Sequence, residues 1–393
     1  MNPRIKKVLW LCSWYPHPGN PFEGDFIQRH AKAVATLTEV DLIFVNQDGP
    51  ARNTEESTIT READGVSETV IHFRYRKTGI GLLDRLRYNW RYYRTYRKAI
   101  REYFERKGRP DLVHVHIPLK AGAIAQWIRR KWRIPYLVTE HSSHYTPGSD
   151  DAFASKSELH RFRVGRVFQQ ASIVTSVSAA VGEKLKSLFE LKRVDVVRNV
   201  VDTRLFFYEH TKPQPFRFIH VSTLASFQKN VQGILRAAAN LAKNSRDFEL
   251  LLVGPADQEL TDAVKGMGLE GLVRFSGEIP YESVAKEMRA ASAFVLFSRH
   301  ENFPCVMIEA LCCGLPFIGT DTGGIPEAID SGNGVVIASE DEEALQAAMH
   351  DMIDLYDRYD RSEIARIARD RYAYSTIAGQ FIALYGEVIQ GGS

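Results

Sequence analysis

Short apolar runs alternate with helix-length segments along almost the whole chain, and that alternation leaves few folds open. In the first half, runs at 7–12, 40–45, 112–116, 135–139 and 172–177 read as strands. Helical patterns fall near 25–36, 82–107, 119–132, 155–170 and 178–189. Residues 46–70 are polar, and a long loop or irregular hairpin is expected there. The second half repeats the scheme, with strands at 217–222, 248–253, 272–275, 293–297, 315–319 and 334–337. Helices are expected at 230–244, 257–268, 281–291, 304–313, 325–330 and 341–356. Strands separated by helices imply βαβ units around parallel sheets. Two such series in 393 residues imply two α/β domains. The polar stretch at 203–215, with Pro213 and Pro215, is the expected hinge. The expected boundaries are therefore 1–202 and 203–375. The last segment, about 362–390, reads as one helix, and its end, 376–393, should dock its aromatics, Phe381 and Tyr385 among them, by crossing back to the first domain.

The most informative short stretch is Glu301-Asn302-Phe303-Pro304-Cys305-Val306-Met307-Ile308-Glu309. Proline suits the first position of a helix and glycine the position beyond its last turn, so Pro304 and Gly314 predict a helix over 304–313. The apolar runs 293–297 and 315–319 flank it as strands. The loop bearing Glu301 thus lies at the carboxyl edge of a parallel sheet, where α/β proteins bind ligands. Amides at the helix start, near Asn302, Phe303 and Pro304, can hold a phosphate. Glu301 and Glu309 would stand on either side, able to accept hydrogen bonds from sugar hydroxyls. Spacing alone also fits two solvated glutamates; the flanking strands favour the functional reading.

Composition excludes some classes. Hydrophobic and charged contents of 44% and 25% are those of a globular protein, and a net charge of +3 implies no particular partner. Cys12, Cys305, Cys312 and Cys313 form no zinc pattern and read as buried reduced thiols. Residues 8–12 are too short for the core of a secretory signal. No apolar run approaches the ~18 residues a spanning helix needs. A cytoplasmic protein is expected, with peripheral attachment to the inner face of the membrane left open. No Asp-x-Asp motif is present, and neither metal nor other cofactor is expected.

In order and spacing, Ser298 to Pro304, Glu309-Ala310-Leu311, Gly314-Leu315-Pro316 and Gly323-Gly324-Ile325-Pro326-Glu327 resemble the donor-site signature of retaining glycosyltransferases of family 4. Asn20 to Phe26, Asp111 to His116, Thr139-Glu140-His141 and Asn199 to Asp202 are similar to further motifs of that family. The resemblance implies a GT-B fold, two Rossmann-like domains facing across a cleft, with a nucleotide-sugar donor held mainly by the second. It implies that Lys229 faces the diphosphate and that Glu309 binds the ribose. Glu301 would contact the donor sugar, and His141 would reach that sugar from the first domain. Gly24 would belong to the first loop, while Gly254 and Gly277 would shape the base pocket. Two departures stand out. Thr223 occupies the place of a common arginine, so Arg299 or Arg198 would have to supply the lost charge. The first loop has Gly24 alone, where relatives often carry paired glycines.

Residues 74–109 hold 13 Lys or Arg against three Asp or Glu, interleaved with aromatics. As a helix, Arg87, Trp90, Arg91, Arg94, Arg97, Lys98 and Arg101 would form a cationic face suited to an anionic membrane surface. The competing reading is a solvated helix whose tyrosines pack on their own sheet. Nucleic acid is not expected, because no recognition fold accompanies the segment. The resulting expectation is a retaining hexosyltransferase that moves sugar from a nucleotide-diphosphate donor, UDP favoured over GDP, to a glycan or lipid-linked acceptor of bacterial surface polysaccharide. The alternatives are a GT-B nucleotide-sugar epimerase and a non-catalytic sugar-nucleotide binding protein.

Overall fold

The structure is a computed structural model. It describes residues 5–47, 56–75, 77–142, 144–145, 153–211, 213–224 and 227–391. Contacts divide the chain into two compact units. One comprises 1–177, 182–197 and 374–393; the other comprises 178–181 and 198–373.

The first unit is built on eight strands: β1 (Lys7–Cys12), β2 (Glu39–Gln47), β3 (Ser57–Ala63), β4 (Val66–Phe73), β5 (Leu112–His116), β6 (Tyr136–Glu140), β7 (Ile173–Ser176) and β8 (Asp195–Val196). Their order across the sheet is β3-β4-β2-β1-β5-β6-β7-β8. Every neighbouring pair is parallel except β3 and β4. The polar stretch expected as a loop or hairpin thus contains an antiparallel hairpin at the sheet edge. The helices are α1 (Asp25–Ala35), α2 (Gly81–Lys107), α3 (Lys120–Trp132), α4 (Glu158–Gln170) and α5 (Ala179–Phe189). Buried residues dominate β1, β5 and β6, as expected where helices cover both faces of a parallel sheet.

The second unit carries β9 (Phe216–Val221), β10 (Phe248–Val253), β11 (Val273–Gly277), β12 (Ala293–Leu296), β13 (Phe317–Thr320) and β14 (Gly334–Ile337). All pair in parallel, in the order β11-β10-β9-β12-β13-β14. Its helices are α6 (Val231–Leu241), α7 (Gln258–Gly266), α8 (Tyr281–Arg289), α9 (Cys305–Cys312), α10 (Glu342–Asp354) and α11 (Arg361–Tyr372). The helix expected over 325–330 is only a 3-10 turn, Ile325–Glu327. The chain reverses direction of travel across the sheet between β9 and β12. Loops that leave those two strands therefore border a crevice at the carboxyl edge, the general ligand position of such sheets.

The single helix expected over 362–390 is two, α11 and α12 (Tyr374–Gln390), with Ala373 extended between them. Helix α12 belongs to the first unit. Phe381 and Tyr385 are fully buried there, and the Tyr385 hydroxyl lies 2.7 Å from Nδ1 of His114. All four cysteines are free, and Cys12, Cys312 and Cys313 are buried.

Candidate active site

In the second unit, the two loops at the switch between β9 and β12 bring Lys229 and Glu301 together. Lys229 closes a 3-10 turn, Phe227–Lys229, just before α6. Its Nζ lies 2.6 Å from Glu301 Oε1, which also accepts from the Ser298 hydroxyl at 2.8 Å. Ser298 is in turn fixed by the end of β13, since the Thr320 hydroxyl donates to its carbonyl at 2.7 Å. Glu301 is 8% exposed and Glu309 only 1%. Neither carboxylate faces bulk water. A buried carboxylate needs partners, and Glu309 accepts from the Tyr281 hydroxyl at 2.6 Å.

Helix α9 begins after Pro304, and among the described residues no side chain caps it. It is hydrophobic almost all round and largely buried, so packing rather than propensity holds it in place. The preceding loop is pinned at each residue. Asn302 Oδ1 accepts from the Ser178 hydroxyl at 2.7 Å, and the Phe303 carbonyl accepts from Asn199 Nδ2 at 2.6 Å. The Gly324 amide donates to the Asn302 carbonyl at 2.6 Å. Gly323 has φ 57°, and a Cβ there would stand 2.2 Å from the Glu301 carbonyl oxygen. That explains the paired glycines: the chain crosses directly over the Glu301 loop, and no side chain fits.

Gly254 and Gly277 also meet. The Gly254 amide donates to the Gly277 carbonyl at 3.0 Å, just beyond β10 and β11. Gly254 has φ 141°, and a Cβ would lie 1.9 Å from the Ser222 carbonyl oxygen. Thr223 is exposed in the loop after β9. Arg299 turns elsewhere: it pairs with Glu340, donates to the Phe227 carbonyl at 2.6 Å and stacks over the Phe227 ring at 4.1 Å. Arg198 pairs with Glu327 at 2.6 Å and lies over the Phe303 ring at 4.6 Å. Glu327 also accepts from the amides of Ala179 and Ala180.

In the first unit, Gly24 precedes α1 in the left-handed region, φ 66°, where a Cβ would crowd the Trp14 backbone at 2.8 Å. His141 follows β6 and is 7% exposed. Its Nε2 lies 2.9 Å from His116 Nδ1, and its ring centroid is 4.9 Å from that of Phe26 and 5.4 Å from that of His30. Burial, reinforced by the neighbouring imidazoles, holds His116 and His141 well below the ordinary histidine pKa. Both rings are neutral near pH 7 and can exchange hydrogen bonds with hydroxyls.

The basic helix α2 divides in two. Tyr92, Tyr96 and Tyr103 are buried; the Tyr96 hydroxyl donates to the Ile43 carbonyl and that of Tyr103 to Asp41. Trp90 is 61% exposed beside Arg94, whose guanidinium lies 5.1 Å from its ring. Arg97 and Arg101 lie over Trp127, Arg91 pairs with Glu56 and Lys98 with Glu102. Arg87 is exposed.

Ser298 stands in the donor-site signature, whereas Tyr281, Ser178 and His220 were not singled out as site residues by the sequence. His220 is buried on β9, with Nδ1 2.8 Å from the Val295 carbonyl and Nε2 2.7 Å from the Ser222 hydroxyl. Burial pushes it down to about 4. A histidine written inside an apolar strand was its only signal.

Two family models tile the chain: Glycosyltransferase Family 4 over residues 25–205, and Glycosyl transferases group 1 over 202–371. N-acetyl-alpha-D-glucosaminyl L-malate synthase of Bacillus anthracis is 30% identical over 239 residues, 57% of this chain and 60% of that protein. The alignment thus spans about three fifths of that relative's length. A protein described as a teichuronic acid biosynthesis glycosyltransferase, TuaC of Bacillus subtilis (strain 168), is 25% identical over 361 residues, 87% of this chain and 88% of its own. Among solved structures, HepE of Anabaena in complex with UDP and glucose superposes with a TM-score of 0.70 at 22% identity, covering 96% of this chain and 99% of that one. The two parallel-sheet units therefore have the GT-B fold.

Proposed function

The chain belongs to the GT-B glycosyltransferases of the family 4 type, and we propose that it is a retaining enzyme moving a hexose from a UDP-sugar to a glycan or lipid-linked acceptor of bacterial surface polysaccharide. The observation that carries this reading is the pairing of Lys229 with buried Glu301 at the β9–β12 switch, beside the uncapped start of α9. A leaving nucleoside diphosphate develops negative charge, and fixed donors aimed at that charge are the largest catalytic resource such a site has. Lys229 and the amides at Asn302 to Pro304 take that role in the proposal. Glu309 binds the ribose diol and Glu301 a hydroxyl of the donor sugar, each as an acceptor. Gly254 and Gly277 leave room for the base, with Thr223 beside them. Since Arg299 is engaged with Glu340 and Phe227, it braces the Lys229 turn rather than replacing the charge lost at Thr223.

The acceptor hydroxyl attacks the anomeric carbon from the face that the diphosphate leaves, and the departing phosphate oxygen takes its proton. Neutral His141 suits hydrogen bonding to a sugar hydroxyl. This route calls on no cofactor. UDP is favoured because HepE was solved with it, and a polysaccharide-building role because TuaC is described as a teichuronic acid biosynthesis glycosyltransferase. The exposed face of α2 suits an anionic membrane surface at the inner leaflet; among the described residues no helix is long and apolar enough to cross a membrane.

Nucleotide release measured with UDP-sugars and bacterial membranes tests the reading. Acceptor-dependent release of UDP is expected. Conversion of the sugar without acceptor would identify an epimerase, and binding without turnover would defeat catalysis.

A further inference from the structure

A concavity of about 960 Å³ lies at the carboxyl edge of the first sheet, bounded by the loop after β1, the end of β2, α2, the start of α3 and α4. Lys77, Arg85, Lys120, Arg130, Arg163 and Arg166 line it, against only two carboxylates, Glu23 and Asp84. Both carboxylates are already engaged. Glu23 Oε2 lies 3.0 Å from His17 Nε2. Asp84 accepts from the Thr78 amide and hydroxyl, the Gly79 amide and the Tyr75 hydroxyl, bonds that bring its carboxyl down to about 2. Among the described residues, Lys77, Arg85, Lys120 and Arg163 form no ion pair. By contrast, Arg366 on α11 pairs with both Glu363 and Asp370.

Lys120 is the most informative of the four. It opens α3, where the N-cap residue Leu119 offers no side-chain acceptor and the Ser13 hydroxyl accepts from the Ala121 amide at 3.5 Å, so its ammonium and the helix dipole add in the same place. Its Nζ sits 4.0 Å from the Tyr88 ring centroid and 5.2 Å from that of Tyr92. Burial pushes its pKa down to about 8. Aromatic faces hold a desolvated cation that has no anion of its own. Phe162 lines the same concavity and is 65% exposed.

We propose that this concavity seats the anionic part of the acceptor, a phosphate or diphosphate ester, on Lys120, Arg85 and Arg163, with the adjoining sugar or hydrocarbon against Phe162. The proposal rests on the glycosyltransferase reading and narrows its acceptor to an anionic one. A planar guanidinium fork suits phosphate oxygens, and a half-buried lysine gains from a counter-charge.

The test is calorimetric titration of the full chain, first with UDP and then, at saturating UDP, with farnesyl diphosphate, farnesol and glucose 1-phosphate. Farnesyl diphosphate should bind. Lys120→Gln, Arg85→Gln and Arg163→Gln should each weaken it about tenfold, with UDP affinity unchanged. Equal dependence of glucose 1-phosphate on these residues would identify a soluble phosphate acceptor; dependence seen only with farnesyl diphosphate would identify a lipid-linked one. Arg85 and Arg163 are exposed, so their variants fold even if Lys120→Gln does not. Absence of binding by both phosphates, binding of farnesol as tight as that of its diphosphate, or affinities unmoved by all three substitutions would overturn the proposal. Failure of UDP to bind wild-type protein would instead count against the glycosyltransferase reading, independently of the other titrations.

Discussion

The carboxyl edges of the two sheets hold different kinds of polar cluster. Beyond β9 and β12 the buried groups are charged and matched: Lys229 meets Glu301, and Glu309 is anchored by Tyr281. Beyond β5 and β6 they are imidazoles kept neutral by burial, His116 and His141 in mutual contact, with Nε2 of His116 unpartnered among the described residues. The same parallel architecture thus solves desolvation in two ways. Pairing preserves charge, and in the proposed reaction that edge binds the anionic leaving group. Neutralisation removes it, and there the proposal needs only hydroxyls to be met.

Removing charge from the Lys229–Glu301 cluster should have the largest effect. Lys229→Ala is expected to lower turnover about 10²–10³-fold, measured as UDP release, as loss of one fixed donor does in other sites. A loss under about tenfold would erase the electrical distinction drawn between the clusters. Next come the glycines that shape the charged edge. Gly254→Ala places a Cβ against the Ser222 carbonyl and should cost about 3 kcal/mol in urea unfolding. Gly277→Ala, at φ 70° with open space around it, should cost about 1 kcal/mol. Equal costs would show that backbone approach at Gly254 is not what the site requires.

The neutral cluster is sharpened by acid. His114, His116 and His141 have folded pKa values below the unfolded one, so between those values the unfolded chain binds more protons. Their stability contribution is therefore intact above about pH 6.5 and lost progressively below it, by up to about 1.4 kcal/mol per pH unit for each ring. Melting temperatures from pH 7.5 to 5 should show this, and His116→Gln should reduce the slope. An unchanged slope would mean that these rings are not the buried neutral groups described. The smallest effect on folding is expected on α2. Replacing Arg91, Arg94, Arg97 and Lys98 by glutamine should leave stability within about 1 kcal/mol, since the ion pairs of Arg91 and Lys98 are exposed and Arg94 and Arg97 make only ring contacts. Binding to phosphatidylserine vesicles should nonetheless fall; undiminished binding would remove the membrane from the account.

Much of the fold was legible because buried parallel strands are written as short apolar runs. The run 248–253 is the strand itself, and 112–116 and 334–337 coincide with theirs. The hairpin strand β3 was not, because its residues are almost all exposed and carry no apolar alternation. The break at Ala373 was hidden because neither glycine nor proline marks it. At the site, Pro304 and Gly314 bracketed α9 correctly to within a residue. Partners such as Ser178 for Asn302 lie 124 positions away, where local pattern is silent. Arg299 carries contacts that its motif does not announce: it pairs with Glu340 and donates to the Phe227 carbonyl, 41 positions after it and 72 before it.

The account stands on a nucleoside diphosphate binding at the start of α9, with its ribose on Glu309. Calorimetry of UDP binding to wild type and to Glu309→Ala tests this directly. UDP should bind the wild-type protein, and the variant should lose about tenfold or more in affinity. Equal affinity in the two proteins would contradict it.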